Sequence, residues 1–192
     1  MSIVFTVALC TRRPATDAQL QAVLDEVKND IASREVQENG DTIIQVVDPE
    51  VVSMLIEITA RYPGVCMGVG ADSGEGRSRL SPVDYANRAL KRARSRSGDM
   101  PVVILGRASE AASWATAVAQ LVFFSLTRRS EPGWEVARLM DQGATQKEAA
   151  EQLGITEQAV SQRLRAAGYR EAHNIQPLLL CLLEQSARTP TR

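Results

Sequence analysis

The 192-residue chain sets 22 Lys plus Arg against 23 Asp plus Glu, a formal charge of −1, with 44% apolar and 4% aromatic residues. That is the composition of a folded globular protein; it excludes a disordered chain and a uniformly basic nucleic-acid-coating protein, but not a local basic face. A single histidine, His173, excludes histidine-rich metal sites, and three cysteines with no CxxC, Cys10, Cys66 and Cys181, exclude a zinc ribbon and fit a reducing compartment.

Ile3 to Leu9 is rich in β-branched and aromatic residues and predicts a strand that ends in a turn at Thr11-Arg12-Arg13-Pro14. Thr16 with Gln19 three residues on predicts a capping box. The helix it opens carries Leu20, Val23, Leu24, Val27 and Ile31 on one stripe. Asn39-Gly40, between Val36 and the run Thr42 to Val47, predicts a hairpin, because a type I′ turn needs φ > 0 at both central positions. Asp48-Pro49 caps a further helix with Val51, Val52, Leu55 and Ile58 as its apolar positions. A strand from Val65 to Val69 runs into a glycine-rich loop, Gly68 to Gly76. Ser81-Pro82 with Asp84 then opens a helix that buries Val83, Ala86, Leu90 and Ala93, and Pro101 to Leu105 is the last strand. The order β-α-β-β-α-β-α-β predicts an α/β (α+β) sandwich with a ferredoxin-like core, its helices on one face of a largely antiparallel sheet.

From there on the chain reads as all-α: Ser109 to about Thr127, Pro132 to Gln142, Thr145 to Leu153, Thr156 to Ala167, and Ile175 to Leu183, with a frayed tail from Ala187. Arg128-Arg129-Ser130-Glu131-Pro132-Gly133 is the joint between two modules. The expected divisions are an α/β domain over 1–106, a connecting helix over 107–129, a helical domain over 130–170, and an apolar helix with its tail over 171–192. The N-terminus carries no basic leader. The longest apolar run, Ala111 to Leu126, is broken by Gln120 and falls short of the ~20 residues of a membrane span. A cytoplasmic protein without membrane contact is expected.

The segment Gln142 to Arg165 reads as a helix-turn-helix. Gly143 ends the helix before it, Thr145 caps the first motif helix, Gly154 supplies the left-handed turn, and Thr156 caps the second helix. Ala149, Ala150, Leu153, Ile155, Val160 and Leu164 supply the shared core. At 100° per residue Val160, Leu164 and Ala167 point inward, which turns Gln158, Ser161, Gln162 and Arg165 outward. Glutamine can pair with adenine N6 and N7, and arginine with guanine O6 and N7. Those four are the candidate base readers of a recognition helix. Thr145, Gln146, Lys147, Thr156 and Arg163 are candidate phosphate or flanking contacts. Residues 131 to 170 hold six acids and five bases, so any DNA affinity rests on placement rather than net charge.

In the first half two features are candidates for binding a ligand. Asp41 stands at the hairpin tip, and the glycine-rich segment with Gly68 and Gly70 precedes a helix bearing Arg88 and Arg92. From Arg77 to Arg96 there are seven bases and one acid, a net +6. The glycines do not match GxGxxG, so a Rossmann site is excluded. The hairpin Gly40-Asp41-Thr42-Ile43-Ile44-Gln45, the strand Val65-Cys66-Met67-Gly68-Val69-Gly70 and the helix Tyr85-Ala86-Asn87-Arg88-Ala89-Leu90-Lys91-Arg92-Ala93 resemble the SatD family, which is related to the nucleotidyl cyclase and GGDEF fold. The resemblance covers about residues 3 to 105, and such a domain with an appended helix-turn-helix resembles actinobacterial-type regulators. It implies a cyclase-like domain. Active cyclase-type domains place metal-binding acids at the end of the first strand and at the hairpin, where two Mg²⁺ organise phosphoryl transfer. Here the first strand ends Leu9-Cys10-Thr11-Arg12 and Thr42 follows Asp41, so one carboxylate remains.

The expectation is therefore a degenerate, non-enzymatic domain with no cofactor and no metal, joined to a sequence-specific reader of double-stranded DNA. The protein would be a homodimeric transcriptional regulator whose first domain serves dimerisation or senses a small-molecule or nucleotide effector. Two segments offer a dimer interface: Ala111 to Leu126, with Trp114, Val118, Leu121 and Val122 on one side, and Ile175 to Leu183. The alternative is a nucleotide-binding or nucleotidyl-transfer enzyme with a regulatory helical domain.

Overall fold

The computed structural model describes residues 3–11, 18, 21–23, 25, 36–39, 41–46, 48–62, 64–74, 80–95 and 101–189. Five strands form one mixed sheet: β1 (Val4–Thr11), β2 (Val36–Asn39), β3 (Asp41–Val46), β4 (Val65–Asp72) and β5 (Val102–Gly106), in the order β2-β3-β1-β4-β5. Pairing is antiparallel except between β4 and β5, which run parallel. The chain is of the α/β class. β2 and β3 pair as a hairpin, as expected, but Asn39 stands opposite Asp41. A single position therefore separates the paired residues, and the register is not that of the expected type I′ turn with Asn39 and Gly40 at its centre; Gly40 lies outside the described residues. Of the helix expected from Thr16, residues 18, 21–23 and 25 are described and helical, with Val23 fully buried; the rest of that expectation lies outside the described residues.

Alternation along the central strands sends side chains to two cores. Phe5, Val7 and Leu9 of β1 and Val65, Met67, Val69 and Ala71 of β4 face one side. There they meet Val52, Leu55 and Ile56 of α1 (Pro49–Ala60). Ala8 and Cys10 of β1 and Cys66 of β4 face the other side, where Ala86, Ala89, Leu90 and Ala93 of α2 (Pro82–Ser95) cover them. Helices thus lie on both faces of the sheet, which corrects the one-faced sandwich expected from the sequence. The reason is the parallel β4-α2-β5 crossover, whose helix has to pack on a face. Both expected caps are present. Asp48 accepts a hydrogen bond from the Glu50 amide at 2.9 Å, and Ser81 and Asp84 bond reciprocally at the start of α2. The Ser81 amide, and after it the Ser81 hydroxyl donating to the same carboxylate oxygen at 2.7 Å, hold the Asp84 carboxyl below its ordinary value of 3.8.

Gly68 and Gly70 are strand residues rather than part of a loop. Two positions apart in β4, they share the face beneath α2. A Cβ at Gly68 would lie 2.3 Å from the Leu90 amide nitrogen, and one at Gly70 would lie 2.0 Å from the Pro82 carbonyl oxygen. Their service is close approach of backbone to backbone.

The helical half begins on the sheet. α3 (Ser109–Thr127) puts Ala115, Ala119, Val122, Phe123 and Leu126 into the same core as β1 and β4. The Thr116 hydroxyl caps the edge strand by bonding both the N–H and the C=O of Ile104. α4 (Glu131–Asp141), α5 (Gln146–Leu153) and α6 (Glu157–Ala166) follow. The chain then returns in α7 (Tyr169–Ala187), which buries Leu179, Leu182 and Leu183 in the sheet core. The Ser73 amide donates to the Ala187 carbonyl at 2.9 Å and the Ala108 amide to Ser186 at 3.1 Å, so the end of α7 is docked where the sequence suggested fraying. Most of the apolar surface between Ile175 and Leu183 is thus used within the chain. Among the described residues no helix is long and apolar enough to cross a membrane.

Candidate nucleic-acid interface

α4, α5 and α6 close around a small core of their own: Val136, Ala149, Ala150, Val160 and Leu164, with Leu139, Met140, Leu153, Ile155 and Tyr169 at its margin. Local chemistry sets each helix end. Gly143 follows α4 at φ +90°. Thr145 caps α5 in a complete capping box. Its Oγ1 accepts from the Glu148 amide at 3.2 Å, while its own amide donates to Glu148 Oε2 at 2.7 Å. The Thr145 amide, and after it the Thr145 hydroxyl donating to the same oxygen at 2.8 Å, hold the Glu148 carboxyl below its ordinary value of 4.5. Gly154 ends α5 in the left-handed region, φ 63° and ψ 32°, with open space where a Cβ would stand. Thr156 caps α6 by accepting from the Ala159 amide at 3.1 Å.

The outward set on α6 follows. Val160, Leu164 and Ala167 are buried; Gln158, Gln162 and Arg165 are exposed and Ser161 is half-buried. Gln146 and Lys147 are exposed at the start of α5. Gln146, Ser161 and Arg165 line one cleft of about 480 Å³, together with Arg170 and His173 of α7. Three expected contacts have other duties. Thr145 and Thr156 are tied up as caps, and Arg163 reaches back to Glu135 of α4 at 3.5 Å. That ion pair spans α4 and α6 beside the core that Val136, Val160 and Leu164 share.

The junction of this unit with the sheet was not visible in the sequence. Arg129, read there only as part of a joint, is buried. Its Nε donates to the Ala167 carbonyl at 3.0 Å and its guanidinium lies 4.4 Å over Trp134, over which Arg61, the C-cap of α1, also stacks at 4.5 Å. Beside it a cleft of about 710 Å³ is lined by Glu57, Arg61, Arg129, Asp141, Tyr169 and His173 among others. The Tyr169 hydroxyl donates to Asp141 at 2.9 Å; burial, then that bond, push its pKa up to about 12. Burial, then the Asp141 charge, raise the Glu57 carboxyl above its ordinary value of 4.5. The nearest sequence signal was Trp134, one of only two tryptophans in the chain.

The other candidate set is not gathered into one site. Gly68 and Gly70 lie under the inner face of α2, whereas Arg88 and Arg92 are exposed on its outer side. Asp41 opens β3 and its side chain lies outside the described residues, as do residues 75–79 of the expected loop. Sequence reasoning also passed over Asp72, a buried carboxylate at the end of β4. It accepts from the Gly74 amide at 2.8 Å and pairs with Arg107 at 3.5 Å. An acid closing a strand, with Gly two residues on, was the available sign. Compared with known protein families, with curated proteins and with solved structures, the chain matches none.

Proposed function

We propose that the protein is a sequence-specific double-stranded DNA-binding transcriptional regulator that acts as a homodimer. In this reading α5 and α6 are the two helices of a helix-turn-helix and α6 enters the major groove. One observation carries it: α6 is held by a buried inner stripe and a capped, left-handed turn, and its free face presents Gln158, Ser161, Gln162 and Arg165. Two amides and a guanidinium on one rigid face match the donor and acceptor pattern of base edges. Gln146 and Lys147 at the start of α5 stand where phosphate contacts are needed.

The sheet half is read as a cyclase-like, SatD-like domain without catalysis. The order β2-β3-β1-β4, antiparallel at each pairing, supports its ferredoxin-like core. Selection of bound fragments from a genomic DNA pool tests the whole reading. The wild type is expected to enrich an inverted repeat, and the triple variant Gln158→Ala, Gln162→Ala, Arg165→Ala to enrich none. Equal enrichment by both proteins, or none by either, would remove it.

A further inference from the structure

The homodimer in that reading needs an interface, and α3 carries one. Its inner stripe is spent on the sheet core. Its outer stripe is Glu110, Trp114, Ala117, Leu121 and Phe124, continued by Arg128 at its C-cap, every one of them exposed. Among the described residues the exposed large hydrophobics are Trp114 (54%), Leu121 (59%), Phe124 (55%) and Leu178 (50%), so three of the four stand on this stripe. The steps between its members are four, three, four, three and four residues. That is the a/d spacing of a helix meant to pair with another helix, sustained over about 27 Å of axis.

The order of residue types along the stripe selects the occupant. From its N-terminal end it reads anion, aromatic, small, large aliphatic, aromatic, cation. All three outward pairs share one midpoint, the level of Ala119. A second copy laid antiparallel about a two-fold axis there sets Glu110 opposite Arg128, Trp114 opposite Phe124, and Ala117 opposite Leu121. Each layer then pairs opposite charges, two rings, or a large side chain with a small one. A parallel pair would instead stack Glu110 on Glu110 and Arg128 on Arg128. The cationic end is already set, because the Arg128 guanidinium lies 4.2 Å over the Phe124 ring on the same helix.

We propose that α3 is a self-complementary antiparallel seam through which two copies of this chain form an isologous dimer, with its axis level with Ala119. The proposal deepens the homodimeric part of the reading above and rests on the helix face, not on DNA binding.

Sedimentation equilibrium of the full chain, without DNA, tests it. The wild type should be a dimer and Leu121→Glu a monomer with an unchanged helical circular dichroism spectrum. Glu110→Arg and Arg128→Glu should each weaken association by about tenfold, and the double swap should restore it, since it rebuilds the same two pairs reversed. Register is read by disulfide trapping in a Cys181→Ser background. Ala117→Cys mixed with Leu121→Cys should cross-link, and Ala117→Cys alone should not. A wild-type monomer across the concentration range, a dimer indifferent to Leu121→Glu, a double swap without rescue, or Ala117→Cys linking to itself would each overturn the seam. Anisotropy of the same monomeric variant on a half-site duplex separates the two readings, because loss of the seam leaves the α6 contacts in place.

Discussion

Two helices of this protein, α2 and α6, differ in the chemistry of the faces they present to solvent and in how they are held. α2 exposes Arg88, Lys91, Arg92 and Arg94, four cations beside one amide, Asn87, on a helix pressed against β4, β5 and β1. α6 exposes Gln158, Gln162 and Arg165 on a helix held by a much smaller core. Density of charge attracts phosphate without regard to sequence, whereas amides and a single guanidinium discriminate base edges. The sheet also lies between them: α2 covers one face, while α1 and α7, which carry the α4–α6 unit, cover the other. Net charge alone would have pointed to α2; the proposed reading rests instead on the side-chain chemistry of α6.

The sharpest way to break the contrast in construction is Gly70→Ala. A Cβ there meets backbone atoms at 2.0 and 2.5 Å, so α2 has to shift as a body. A loss of about 3 kcal/mol or more is expected in urea unfolding. Leu164→Ala probes the smaller core and should cost about 2.5 kcal/mol, read as early melting of the α4–α6 helices. On the binding side, Arg165→Ala should cost about 2 kcal/mol on a selected duplex and little on a scrambled one. Arg92→Ala should leave the difference between the two duplexes unchanged. Thr156→Ala, which removes the α6 cap, should cost about 1 kcal/mol of stability.

The smallest effect concerns pH at the junction. Glu57 has its folded pKa above the ordinary value of 4.5, chiefly through burial. Between 4.5 and that raised value the folded state binds more protons than the unfolded one, so this group makes stability fall as pH rises through the window. Glu57→Gln should therefore raise the midpoint at neutral pH, with a gain that shrinks toward pH 4. Glu148 acts in the opposite sense. Its depressed pKa gives the α5 cap a contribution present above 4.5 and lost as pH falls through the folded value. Thermal scans of Glu57→Gln and Glu148→Gln across pH check the two signs.

Much of the α4–α6 unit was legible because its determinants are local. Gly154 and the caps Thr145 and Thr156 act within three or four residues, and the helical period alone sorts Val160 and Leu164 inward from Gln158 and Gln162 outward. Thr145-Gln146-Lys147-Glu148 even spelled the full capping box, although only the cap was read. Gly68 and Gly70 were misread as loop because glycine in sequence suggests turns. Their spacing of two was the sign that both sit on one strand face. The docking of α7 was beyond reach, since Ser73 and Ala187 meet across more than half the chain. Pro177 hid the true start of that helix at Tyr169, as an exposed proline inside a helix looks like a first turn. The stacking of Arg61 and Arg129 on Trp134 is likewise a tertiary fact with no period to announce it.

The claim that α6 reads and α2 does not is tested most directly by fluorescence anisotropy across a salt series. A selected duplex and a scrambled duplex of equal length are titrated with wild type, with the α6 triple variant, and with Arg88→Ala, Lys91→Ala, Arg92→Ala. The account predicts that the α6 variant loses the preference for the selected duplex at every salt concentration, while the α2 variant keeps it. A preference that survives the α6 changes, or disappears with the α2 changes, would contradict it.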